Sequence, residues 1–150
     1  MNYDLVRELL RKHEGLRLRE YRCPAGKRSI GYGWNLEANA LPIEIAAYFR
    51  LHGAITEAMA TWLLNVSIDM AERQCRGIFD KWDEFSDNRK MALIDFVFNV
   101  GVGTALKFKK AMAAILAGDW SEAADEMQDS KWFRQVGNRG PEIVEMIRHA

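Results

Sequence analysis

HEGLRLREYRCPAGKRSIGYG, residues 13–33, interrupts a helical pattern that governs the rest of the chain. Before it, Leu5, Val6, Leu9 and Leu10 recur at helical spacing, which predicts an amphipathic helix over 3–13 delivering Glu14 at or just past its end. Within it, LRLREY alternates, PAG can turn, and SIGYG resumes a β-type run, so a small hairpin or three-stranded sheet is expected. Gly26, Gly31 and Gly33 fit tight turns or the close approach of a ligand to backbone.

Beyond Pro42, well placed near a helix start, the periodicity is helical. IEIAAYFRLHG reads as a short helix ended by Gly53, and Thr56 opens a longer one reaching about Phe79. Ser86 or Asp87 can cap NRKMALIDFVFNVG, whose Met91, Leu93, Ile94, Val97 and Phe98 make it the candidate central core helix. Single helices are expected at ALKFKKAMAAILAGD, at SEAADEMQDSKWF and from Pro141 to the end. The fold class is therefore α+β, mostly α, in one domain over 1–150. A β-containing lobe at about 14–55 leads through a connecting helix at about 56–79 to a helical lobe at about 80–150, against which helix 3–13 packs.

At 150 residues the chain can bury roughly two-thirds of its unfolded surface and fold unaided. Apolar residues make up 49% and the formal charge is zero, which places it among globular proteins and argues against a binder that neutralises nucleic-acid phosphates. Cys23 and Cys75 read as free thiols in a chain that needs no staple. The charged opening MNYDLVRELLRKHE lacks the apolar core of a signal peptide, and no stretch is long enough to span a bilayer, so no membrane insertion is expected. His13, His52 and His149 are scattered and belong to no ligand motif, so neither metal nor cofactor is expected. Lys107, Lys109 and Lys110 read as a solvated face, and no flanking motif favours a Cys/His/Asp triad.

Hydrolysis of a glycosidic bond needs a proton for the departing oxygen and a second group that orients or activates the attacker across the sugar ring. Glu14 at a helix end can supply the first, and Cys23 and Ser29 on neighbouring hairpin strands can face it across a groove. Glu14, eight residues, Cys23, five residues, Ser29 and then IGYG resemble the catalytic signature of the phage-type lysozymes, glycoside hydrolase family 24, and most closely the T-even group. That family's pattern is Glu, eight residues, Asp or Cys, five residues, Thr. EGLRL, Tyr21, PAG and SIGYG fit the same resemblance, as do RKMALIDFVFNVG, GDWSEAADEM and SKWFRQVGNR, so nearly the whole chain is covered.

The resemblance implies a β-lobe and a helical lobe joined by a long helix, with a substrate groove between. It implies a muramidase that cuts the β-1,4 bond between N-acetylmuramic acid and N-acetylglucosamine in peptidoglycan. Glu14 matches the general acid, Cys23 the aspartate that places or activates water, and Ser29 the threonine that holds it. Arg139 matches the arginine that pairs with the glutamate, while Gly33, Phe98 and Asn99 match groove positions and Trp132 reads as packing. The expected protein is a monomer kept in the host cytoplasm until a separate holin-like partner, if it is phage-encoded, opens the way to the wall.

Departures from the pattern carry consequences. Ser29 lacks the methyl that restricts threonine, and a thiol at 23 is mostly protonated near neutrality where aspartate is charged. Cys23 and Ser29 can position a water for inversion, the reading favoured by resemblance, or a Cys23 thiolate can attack carbon with retention. Non-hydrolytic cleavage to an anhydro-sugar and a catalytically weakened peptidoglycan-binding module are the alternatives. Trp34 stands where many members carry histidine after GYG, so a polar contact to the connecting helix is lost, with an effect expected on stability.

Overall fold

A computed structural model describes all 150 residues and divides them into two units, Tyr3–Asp69 and Met70–Ala150 with Met1–Asn2. The first unit opens with α1, Tyr3–Glu14, whose Val6 and Leu10 are buried one turn apart while Leu5 is exposed. Gly15 ends the helix in the left-handed conformation, its N–H on the Arg11 carbonyl at 2.9 Å. Glu14 is thus the last helical residue.

Three antiparallel strands follow in the order β1 (Arg17–Arg22), β2 (Arg28–Gly31) and β3 (Trp34–Asn35). The β1–β2 tip is the three-residue loop Pro24-Ala25-Gly26, closed by the Cys23 N–H on the Lys27 carbonyl at 2.9 Å. Gly26 N–H reaches the Cys23 carbonyl at 2.8 Å, and Gly26 has φ +80°, the left-handed residue such a loop requires. The pairing places Tyr21 opposite Ser29 and Arg22 opposite Arg28, whereas between Tyr21 and Arg17 four steps on β1 face two on β2, a bulge.

Helix α2, Ile43–His52, ends at Gly53 with φ +67°, as its sequence predicts. Helix α3, Glu57–Ile78, is opened by the Thr56 hydroxyl, which accepts the Met59 N–H at 3.1 Å. Residues 57–69 of this helix belong to the first unit and 70–78 to the second. In the first unit Arg7 donates to Asn65 at 3.1 Å and Arg11 to Thr61 at 3.3 Å, tying α1 to α3. Ile30, Tyr32, Trp34, Ile45, Ile55, Leu63 and Leu64 are buried. Trp34 replaces any lost polar contact with one of its own, its indole N–H donating to the Asn39 carbonyl at 3.2 Å.

The second unit is built on α4, Asp87–Val100, in which every residue from Met91 to Val97 is buried. Ser86 caps it by accepting the Arg89 N–H at 3.3 Å. The remaining helices are α5 (Val102–Lys107), α6 (Lys109–Leu116), α7 (Trp120–Gln128), α8 (Lys131–Gln135) and α9 (Arg139–Arg148). α9 packs against α4 and α7, and α6 against α7.

Two stretches expected as single helices are split. Phe108 leaves helical geometry at φ −77°, ψ 62°, separating α5 from α6 while its ring meets Phe96 edge-on at 4.9 Å between centroids. Burial of an aromatic edge contact here outweighs one more turn of propensity. Ser130 separates α7 from α8: its hydroxyl donates to the Met127 carbonyl at 2.6 Å and accepts the Phe133 N–H at 3.2 Å, ending one helix and capping the next. No helix is long and apolar enough to cross a membrane.

Both cysteines are free. Cys75 on α3 is fully buried, and burial first, then the neighbouring Glu72, push its thiol up to about 12. A raised folded-state pKa contributes stability that is whole below the unfolded thiol's value and is lost as pH rises towards the folded one. Denaturant titrations are therefore expected to show unfolding free energy falling by about 3 kcal/mol between the ordinary thiol range and about pH 11 through this group. Cys75→Ala should flatten that limb of the profile.

Candidate active site

Four of the sequence-predicted residues, Glu14, Cys23, Ser29 and Gly33, fall in the first unit. The helix end fixes Glu14, which is half-buried. Gly33 has φ +73°, and a Cβ built on it would stand 2.8 Å from Glu14 Oε2 and 3.0 Å from its Cδ. The Gly33 backbone therefore lies directly against the Glu14 carboxyl, in a conformation and a space that only glycine satisfies.

Cys23 leaves the end of β1 beside the tip loop and is half-buried. Ser29 sits in the middle of the sheet, flanked by Tyr21 on β1 and Asn35 on β3, and is 2% exposed. Its hydroxyl donates to the Lys27 carbonyl at 3.2 Å, which commits the proton and leaves oxygen lone pairs as acceptors.

Tyr21, to which sequence reasoning gave no role, is the cross-strand partner of Ser29. It is half-buried, within electrostatic reach of Glu14, Cys23 and Arg17. Burial, then Glu14, raise the phenol's pKa, with Cys23 adding to the rise, while Arg17 opposes it. Arg17 also lies over the ring, its Cζ 5.2 Å from the centroid. The available signal was the alternating run LRLREY, which places Tyr21 on a strand.

Phe98, Asn99 and Arg139 belong to the second unit. Phe98 is partly exposed near the end of α4. Asn99 Oδ1 accepts the Trp132 indole N–H at 2.8 Å, and Trp132 is buried edge-on to Phe96 at 5.0 Å between centroids, so Trp132 packs and anchors Asn99. Arg139 Nε donates to Asp95 Oδ1 at 2.8 Å, with side-chain exposures of 8% and 1%. Asp95 is a second residue that sequence reasoning passed over. Its signal was a lone carboxylate inside an apolar run, which needs a partner when buried.

The sequence matches the Phage lysozyme family over residues 11–148. The pre-baseplate central spike protein Gp5 of Enterobacteria phage T4 is 30% identical over 93% of this chain, which spans only 27% of that protein's length. Probable T4-type lysozyme 1 of Dictyostelium discoideum is 26% identical over 95% of this chain and 92% of its own. The endolysin of Acyrthosiphon pisum secondary endosymbiont phage 1 is 30% identical over 89% and 82%. With the family match running from α1 to the last turn of α9, the chain belongs to the phage lysozyme family.

Proposed function

We propose that this chain is a muramidase that hydrolyses the β-1,4 bond between N-acetylmuramic acid and N-acetylglucosamine in peptidoglycan, with inversion. The observation that carries the reading is the Glu14 carboxyl held against the Gly33 backbone at the end of α1, in the same unit as the hairpin that bears Cys23 and Ser29. Glu14 gives its proton to the departing glycosidic oxygen. A water placed by Cys23 and Ser29 forms the new bond to the anomeric carbon from the opposite face, its second proton leaving to solvent. Ser29 suits that task because its own proton is already on Lys27 and its oxygen can accept from the water. Gly33, Phe98 and Asn99 are assigned to the saccharide, and Arg139 supports the helical unit through Asp95. The protein works as a monomer without metal or cofactor, and a phage-encoded copy depends on a separate holin-like protein for access to the wall.

Digestion of purified walls in heavy-oxygen water tests this directly. One heavy oxygen at each new reducing end, appearing first as the α-anomer, is expected; an anhydro-sugar lacking the label, or a β-anomer, overturns the mechanism. Cys23→Ser should lower the rate without abolishing it, because a hydroxyl still orients water but cannot sustain thiolate attack. Complete loss together with a covalent adduct on the wild type would establish retention instead. Gly33→Ala is expected to reduce wall cleavage on the order of a hundredfold, since its Cβ displaces the Glu14 carboxyl from its place. The left-handed backbone adds a stability cost of about 1–2 kcal/mol, read from unfolding midpoints.

The near-complete burial of Ser29 favours one competing reading, a wall-binding module with weakened chemistry. The two separate on whether cleavage depends on Glu14.

A further inference from the structure

The hairpin that bears Cys23 and Ser29 concentrates charge in a chain whose formal total is zero. Residues 16–28 carry Arg17, Arg19, Arg22, Lys27 and Arg28 against the one carboxylate of Glu20, and all of these cations are exposed. Arg28 pairs with Glu20 at 3.3 Å. The other guanidinium groups rest on neutral acceptors: Arg22 Nη1 donates to the Gly26 carbonyl at 2.8 Å, Arg19 Nη1 to the Gly53 carbonyl at 3.4 Å, and Arg17 lies over the Tyr21 ring. Contacts of this kind fix a guanidinium in place without cancelling its charge. Glu37, just past β3, accepts the Arg28 backbone N–H at 2.7 Å; that bond, with Lys27, Arg22 and Arg28 nearby, holds its carboxyl below the usual range and still leaves the cations in excess.

Charge on an edge strand such as β1 also discourages pairing with other chains, but either sign serves that purpose and loose side chains suffice. Here one sign dominates and the side chains are held. Arg22 even stands directly opposite Arg28 across the ladder, a like-charge pair that works against the sheet. We propose that the hairpin is a docking surface for the phosphodiester polymer carried on bacterial walls, an extended chain with one negative charge per repeat. From Arg17 to Arg22 the strand runs about 17 Å, and Lys27 and Arg28 continue the array past the tip, which suits a linear polyanion better than a single phosphate. Stacking of nucleic-acid bases has no platform here, since the one aromatic ring, Tyr21, is half-buried under Arg17. The choice of occupant rests on the peptidoglycan reading: the same hairpin presents Cys23 and Ser29, so a polymer attached to the wall would bring its glycan to them. Docking itself requires no cleavage.

Sedimentation of the protein with purified walls, intact or stripped of their phosphodiester polymer by acid, tests the assignment. At low salt the wild type should bind intact walls about tenfold more tightly than stripped ones, soluble poly(glycerol phosphate) should compete, and the preference should fall about tenfold between 50 and 200 mM salt as bound counterions cease to be released. A variant combining Arg19→Gln, Arg22→Gln and Lys27→Gln should lose the preference while keeping the wild-type unfolding midpoint and binding to stripped walls. The comparator removes the same charge elsewhere: Lys107→Gln, Lys109→Gln and Lys110→Gln together should leave the preference in place. Equal binding to both kinds of wall, equal losses in the two triple variants, or tighter binding to duplex DNA, to anionic lipid vesicles or to a second copy of the chain than to poly(glycerol phosphate) would each overturn the proposal. If the wild type docks by this measure yet cleaves nothing, the muramidase reading falls and the docking surface stands; if it cleaves stripped and intact walls alike without preferring either, the reverse holds.

Discussion

Glutamine at position 14 is expected to lower clearing of purified cell walls about a thousandfold while leaving the unfolding midpoint and the sedimentation of the protein with walls nearly unchanged. The substitution keeps the length and planarity of the side chain, so its fit against the Gly33 backbone is retained. What disappears is the ability to hand a proton to the leaving oxygen, because an amide cannot act as a general acid at neutral pH. Without that proton the departing sugar must leave as an alkoxide, and general acid catalysis of this kind is worth 10²–10⁴ in rate by order of magnitude, ~3–5 kcal/mol. Equal clearing by wild type and Glu14→Gln, or by neither, removes the muramidase reading. Equal sedimentation with no clearing by either would install the wall-binding module in its place.

The second large effect concerns stability. Asp95→Ala is expected to cost about 3–5 kcal/mol and lower the unfolding midpoint by roughly 10 °C for a chain of this size. The reason lies in burial: the Asp95 side chain is 1% exposed and accepts the Arg139 Nε–H at 2.8 Å, joining α4 to the first residue of α9. Removing the carboxylate takes away the group that offsets the desolvation of that guanidinium nitrogen. A paired replacement by similar-sized apolar residues, Asp95→Leu with Arg139→Met, should recover much of the loss, since two desolvated charges are removed together. Thermal unfolding of the single and double variants checks both statements. A midpoint within a degree or two of wild type for Asp95→Ala would show that the pair contributes specificity rather than stability.

Much of this molecule can be read from its residues because local physics and tertiary packing agree. Gly53 after IEIAAYFRLH, Ser86 before the core helix and PAG between alternating runs each specify a boundary by a mechanism that acts within a few residues. Where packing overrides propensity, the sequence misleads. Phe108 has ordinary helix neighbours, and only its meeting with Phe96 from another helix breaks the run. Ser130 likewise reads as one polar position on a helix face until its two hydrogen bonds make it a junction.

The candidate site divides along the same line. Glu14, Cys23 and Ser29 stood out in the sequence only because their spacing resembles a family signature; each alone reads as an ordinary surface or strand residue. Tyr21 did not, since a tyrosine in an alternating strand looks the same whether it stands in solvent or half-buried opposite Ser29. Asp95 was hidden for the opposite reason. Its apolar neighbours drew attention to the core, although a carboxylate among them is what most needs explaining.

The hairpin bears on how this site tolerates insertions and deletions during descent. Cys23 and Lys27 close the ladder across the tip, so residues can be gained between them as a longer loop without altering which way either strand faces. Between Lys27 and Ser29 no such freedom exists. A single residue gained or lost there shifts the strand by one position, turns Ser29 to the other face of the sheet and breaks its match with Tyr21. Relatives with a longer tip can thus depart from the five-residue interval and keep the geometry, whereas one that preserves the interval by trading a tip residue for a strand residue has lost it.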